Sequence, residues 1–384
     1  MVQVLNGGRL ADLRDLLGLS QAALADRLSV NQAFVSLVER GERSFPDNLA
    51  STAAAVFEIP ESFFHVPALL SDTAPVTFRK KASASSRDER RIIAKHREAA
   101  RLFRWVSERS GYHQSKLPHP ADCDGDATLL AEEVRHEAGL NDAEPVKNVT
   151  RLMERLGIGV VARLEPGYTD SVGHISISRP ADAGERPLVA MIASCSGDMA
   201  RLSLAHEVGH LVYDRGLARP IRSTRSVEEK RAYDFASALL VPDSVMRKNV
   251  SETLTLHGYL PLKAHYGMSV AALIMRAQRM GLISEARARS LHIQRSSQGW
   301  TKHEPVAVAP ERAALLEQGY RKVFPGWSNR AVAEELGLIP AMLNDWITDI
   351  GLDGPSRVVS LSDWRNRRSA SPAASDDDQM VEEM

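Results

Sequence analysis

The chain has 384 residues, 43% hydrophobic and 25% charged, with a formal net charge of -1, so it should hold more than one core, and its overall charge draws it to neither nucleic acid nor membrane. Its two cysteines, Cys123 and Cys195, lie far apart with no CxxC spacing, which excludes a disulfide framework and a thiolate zinc site and points to the reducing cytoplasm. No basic segment followed by an apolar core opens the chain, and no stretch approaches 18 uninterrupted apolar residues, so neither secretion nor a membrane span is expected.

Within residues 1–68 the apolar spacing predicts an all-α module, with short amphipathic helices over Arg9–Leu17, Gln21–Leu28, Gln32–Arg40, Asn48–Phe57 and Glu61–Phe64. In GLSQAALADRLSVNQAFVSLVERGER, Ser20 and Asn31 are placed to cap successive helices and Ser29–Val30 turns the chain between them. Leu24, Ala25, Leu28, Val35 and Val38 supply the facing apolar positions. This is what a helix-turn-helix requires: the first helix packs across the second, and one polar face of the second stays free for the major groove. The expected DNA contacts are Asn31, Gln32, Ala33 and Ser36 on that face, with Gln21 before it. Gln and Asn can bond adenine bidentately and Ala can meet a thymine methyl.

The segment resembles the lambda-repressor and Cro-like (Xre-type) helix-turn-helix family at Leu19–Gln21, Ala23–Ala25, Val35–Ser36 and Glu39–Gly41, which implies a double-stranded DNA operator as partner. Residues 1–70 carry five Arg against eight Asp/Glu, a poor supply of phosphate contacts that a homodimer, or the basic helix next in the chain, would improve.

Residues 69–125 open with the polar run SDTAPVTFRKKASASSRDERR, read as a linker that feeds a long basic helix near Arg87–Arg109. Over 126–305 the texture becomes α+β. Helices are expected at Thr128–Glu137 and Val146–Leu156, and the runs GIGVVARL, VGHISIS and PLVAMIAS are candidate strands of one small sheet. Helices Met199–Tyr213, Val227–Leu240, Val270–Met280 and Glu285–Leu291 come after them. A helical C-terminal region spans 306–368, where GWSNRAVAEELGLIPAMLNDWI has a faint helix-turn-helix look, and 369–384 read as a disordered acidic tail. The fold class is therefore α+β and multidomain.

The chemistry is concentrated in RLSLAHEVGHLVYD, whose His-Glu-x-x-His places His206 and His210 one turn apart on one helix face, where two imidazoles can hold one ion. Glu207 projects about 100° around the helix, within reach of a metal-bound water but outside the coordination shell, the place of a general base. Zinc lowers the pKa of its water toward ~7 and polarises a scissile carbonyl. A third protein ligand is needed. Asp214 should not reach, since it lies about 6 Å beyond His210 along the axis, whereas Glu228 and Glu229 open the next predicted helix and an antiparallel return brings them close.

The block GDMARLSLAHEVGHLVYD…EEKRAYDFASALLVP resembles the ImmA/IrrE family of zinc metallopeptidases, from about Pro145 to Pro305. The resemblance implies a small-sheet zincin-like domain and makes Glu229 the third zinc ligand, with Ala232, Phe235, Ala236, Leu239, Leu240 and Pro242 in the same motif. This sequence departs from the family at Tyr233, where Asn or Asp is common, and at Met199, where Arg is common. Tyr213, Tyr233 and His174 are candidates for stabilising an oxyanion. His174 and Asp170 lie at a predicted strand whose edge can hold a peptide as an added strand. The implied function is regulatory endoproteolysis of a protein such as a repressor, coupled to promoter binding. The alternative is a transcription factor, or an antitoxin that masks a cognate toxin, with a sensory or structural metal domain.

Overall fold

The computed structural model describes residues 4–67, 74–80, 85–123, 125–167, 174–221 and 223–347. The expected acidic tail and Asp170 lie outside them. The N-terminal module contains α1 (Gly8–Leu16), α2 (Gln21–Arg27), α3 (Gln32–Glu39), α4 (Asp47–Phe57) and a 3-10 turn at Glu61–His65. Both expected caps form: Ser20 Oγ accepts from the Ala23 amide at 3.1 Å and Asn31 Oδ1 from the Ala33 amide at 2.7 Å, each stabilising its helix by roughly 1 kcal/mol. Between the helices Ser29 takes φ +53°, and Leu24, Ala25, Leu28, Val35 and Val38 are all buried.

The run read as a linker contains a strand, β1 (Thr77–Lys80). The basic helix is α5 (Ser86–Ser110), and its cations do not form a free stripe. Glu98 is buried between Arg9 of α1 at 2.6 Å and Arg101 at 2.6 Å, Arg97 pairs with Asp12 of α1, and Lys95 pairs with Glu165 at 2.5 Å. These side chains bolt the first module to the rest of the chain, so most are engaged within the protein rather than offered to phosphate, contrary to the sequence expectation.

The next elements are α6 (Ala127–Glu137), α7 (Val149–Arg155), β2 (Gly159–Val161), β3 (His174–Ser178) and β4 (Leu188–Met191). The sheet order is β1-β3-β4-β2, with β1 and β4 antiparallel to β3, and β2 parallel to β4. Successive side chains of a strand face opposite sides, and here the sheet separates two cores. Val189 and Met191 join the core of α8 (Gly197–Tyr213) and α9 (Val227–Leu240), while Leu188 and Ala190 join that of the N-terminal module and α5. Beyond α9 come α10 (Asp243–Asn249), α11 (Leu260–Tyr266), α12 (Val270–Arg279) and α13 (Glu285–Ser297). Of these, α10 and α11 have no counterpart in the sequence reading. The closing helices α14 (Leu315–Val323), α15 (Asn329–Leu336) and α16 (Pro340–Ile347) return to the core of the N-terminal module and α5.

Candidate metal centre

Helix α8 is enclosed on nearly every side, from Gly197 to Val212 with few gaps, so the amphipathic stripe expected of a surface helix is absent. One side meets the sheet and the other meets α9. The approach of α9 depends on Gly209, where a Cβ would come within 2.9 Å of the Ala232 Cα. A glycine there lets the two backbones touch, and Glu229, one turn before Ala232, is thereby carried over the histidines.

His206 Nε2 and His210 Nε2 lie 3.1 Å apart, and Glu229 offers Oε2 at 3.3 Å from the first and Oε1 at 3.6 Å from the second. One ligand atom from each of the three residues falls within 4.8 Å of the others. Donors bound at about 2.0–2.2 Å in a tetrahedron are separated by roughly 3.3 Å, so this triangle has the size and the nitrogen–oxygen donor set that fit a zinc ion. Asp214 does not join it: its Oδ2 accepts from His210 Nδ1 at 2.7 Å, and its Oδ1 accepts from Arg231 at 2.6 Å. That pairing engages His210 Nδ1 and leaves Nε2 turned toward the other donors.

The charges are interdependent. Burial opposes the His210 cation, but the Asp214 hydrogen bond and the nearby carboxylates outweigh it and hold the ring at about 9. Burial alone would raise Glu229, yet the two imidazoles hold its carboxyl down at about 2. Burial lowers His206 below its ordinary value.

Glu207 is 0% exposed. Its Oε1 accepts from Ser176 Oγ at 2.7 Å, and its Oε2 accepts from Ser178 Oγ at 2.7 Å and Thr77 Oγ1 at 2.9 Å. Ser176 and Ser178 alternate along β3 and so share one face, whereas Thr77 arrives on β1, opposite Ser178. None of the three was identified from the sequence, since hydroxyls in β-rich runs carry no signal until the register is known. The β3 edge expected to receive a peptide is paired with the chain's own β1.

Of the oxyanion candidates, Tyr233 donates its hydroxyl to the Ala272 carbonyl at 3.0 Å and Tyr213 lies beneath Arg231; the His174 side chain lies outside the described residues. A groove of about 800 Å³, lined in part by Met199, Leu202, Met275 and Trp300, opens along the N-terminal half of α8. Met199 lies seven residues before His206, two turns away on the same stripe.

At the other candidate site, Asn31, Gln32 and Ala33 are exposed and Ser36 is half-buried. Gln32 Nε2 donates to Gln21 Oε1 at 3.0 Å and Gln21 Nε2 donates to Glu39 Oε2 at 2.7 Å, so the two glutamines are held as one unit. Asn31 uses its Oδ1 as a cap, and Ser36 Oγ accepts from Arg40 at 2.6 Å.

Comparison with known families assigns both regions. Residues 10–64 match the helix-turn-helix family and residues 153–278 match the IrrE N-terminal-like domain of the M78 peptidases. No curated protein matches the chain. Among the described residues no helix is long and apolar enough to cross a membrane.

Proposed function

We propose, for a chain that joins a helix-turn-helix module to an IrrE-like metallopeptidase-type domain in that order, that it is a DNA-binding regulator whose second region is a zinc endopeptidase directed at a protein partner such as a repressor. The observation that carries this reading is the triangle of His206, His210 and Glu229 on two touching helices. When bound, zinc supplies Lewis acidity to the scissile carbonyl and makes water more acidic. Asp214 keeps the proton of His210 on Nδ1, and Arg231 holds Asp214 in place. Glu207 accepts the proton of the attacking water and passes it to the leaving amine. The groove along α8 receives the peptide. In the N-terminal module Gln21, Asn31, Gln32, Ala33 and Ser36 meet the operator.

The coupling between the two activities has a physical route. Residues 77–80 lie between the modules, and Thr77 bonds Glu207 directly. Withdrawal of β1 removes one of the three hydroxyls that hold Glu207 and frees the β3 edge.

A second reading rests on the hold on Glu207. With both oxygens bonded by buried hydroxyls, Glu207 ties the sheet to α8, which suits a transcription factor or antitoxin whose metal domain is structural. Glu207→Gln separates the two. Metal analysis, DNA binding and mass spectrometry of co-expressed partner proteins are expected to show unchanged metal and DNA binding with cleavage lost. Equal cleavage by the variant, or no cleavage by either protein, favours the second reading.

A further inference from the structure

We infer that residues 328–347 form a second helix-turn-helix that reads double-stranded DNA beside the stretch read by α3. The inference rests on the DNA-binding reading of residues 10–64 and extends it to a region that neither family match covers.

The two segments correspond position for position. Ser328 caps α15 by accepting from the Ala331 amide at 3.2 Å, as Ser20 caps α2 from Ala23 at 3.1 Å. Nine residues after each cap the backbone turns left-handed, at Ser29 with φ +53° and at Gly337 with φ +58°. The next amide closes the same bond in both: Val30 to the Ala25 carbonyl at 3.0 Å, and Leu338 to the Ala333 carbonyl at 2.9 Å. Leu28, Val35 and Val38 are buried in the first motif, and Leu336, Leu343 and Trp346 are buried at the equivalent places in the second. Gly337 is required where it stands, since a Cβ would lie 2.6 Å from the Ser62 carbonyl oxygen in addition to the positive φ.

On α16, Ala341 and Asn344 take the places of Ala33 and Ser36 and are exposed. Asn suits adenine, and Asn344 Oδ1 accepts from Asn329 Nδ2 at 2.6 Å, a pairing across the motif like that of Gln32 with Gln21. The second motif is fixed to the first rather than tethered to it. Ser62 Oγ donates to the Glu334 carbonyl at 2.5 Å, and Arg101 of α5 donates to the Leu336 and Gly337 carbonyls at 2.6 and 3.0 Å. One chain thus presents two reading helices from a shared core, the provision that single-motif proteins obtain by pairing. Residues 328–347 carry one Arg against three Asp/Glu, so the second motif adds base-edge contacts rather than the phosphate contacts that residues 1–70 lack.

The test is selection of binding sites from a pool of random 40-base-pair duplexes by the full chain, by Ala33→Glu and by Ala341→Glu, with thermal unfolding to verify that each protein is folded. The wild type is expected to select a two-part site. Ala341→Glu should lose one part and bind the wild-type site about tenfold more weakly, and Ala33→Glu should lose the other part. Asn344→Ala, which adds no charge, should relax the preference at a single base pair. If Ala341→Glu and Asn344→Ala select the wild-type site with unchanged affinity while Ala33→Glu loses it, this inference fails alone. Failure of the wild type to select any sequence overturns both DNA readings. An unchanged site combined with altered sedimentation of DNA-free Ala341→Glu means that the face binds a second copy of the chain, and likewise overturns the inference.

Discussion

Helices α3 and α8 carry the two candidate sites on opposite terms. The first buries only Val35 and Val38 fully and leaves its N-terminal Gln32 and Ala33 exposed, while the second buries fourteen of its seventeen residues. A base edge is met at a surface, so α3 needs only to be held from behind and to show polar groups in front. A triangle of donors must be held to within a few tenths of an ångström, and its general base works best away from bulk water. Helix α8 is therefore gripped by the sheet, by α9 and by three hydroxyls. Side chains all around α8 should be coupled to stability, whereas on α3 only Val35 and Val38 should be and the exposed Gln32 and Ala33 should not.

That contrast can be tested by substitution. The largest effect is expected from Glu207→Gln, with cleavage falling by about a thousandfold or more, in the range of a lost general base, at unchanged metal content. Acid is next. Burial would raise Glu98 above 4.5, but Arg101 and Arg9 outweigh it and hold the carboxyl at about 2. Its folded pKa is depressed, so its contribution is present above about pH 4.5 and is lost as pH falls toward 2. Protonating it fully should weaken the seat of the N-terminal module on α5 by about 3 kcal/mol, of which about 2 kcal/mol should be read between denaturant midpoints at pH 6 and pH 3. In Glu98→Gln this part of the profile should flatten. Gly209→Ala should rank third, costing about 2 kcal/mol by overpacking against Ala232 and lowering metal affinity as α9 moves off, measured by competition with a chelator. An unchanged metal affinity would show that the approach of α9 does not set the triangle. The smallest effect belongs to α3: Gln32→Ala should leave stability within about 0.5 kcal/mol while weakening binding to the selected DNA by roughly tenfold. A large loss of stability there would erase the contrast between the two helices.

Legibility tracked the range of the interaction. The caps Ser20 and Asn31, the turn at Ser29 and the pairing of His206 with His210 are local, and each appears where its spacing placed it. Glu229 lies nineteen residues beyond His210 and rested on a family resemblance until α9 was seen to return along α8. The role of Asp214 was half legible: its distance along the helix excluded it from the donor triangle, but only the fold shows it bracing His210 from behind. Thr77, Ser176 and Ser178 could not be found, because two strands separated by about a hundred residues must pair before their hydroxyls converge. The cations of α5 looked like a DNA-facing stripe because the carboxylates that take them, Asp12 and Glu165, lie far off in the chain.

From sequence alone came most of the helices, the caps at Ser20 and Asn31, the turn after Leu28 and the two-histidine motif, since each follows from the 3.6-residue period or from local cap and turn chemistry. Only the fold brings Glu229 beside the two histidines, surrounds Glu207 with hydroxyls and joins residues 328–347 to the core of the first module. The physical reason is that such contacts depend on how elements pack in space, and helical periodicity is blind to which distant element will arrive at a given face.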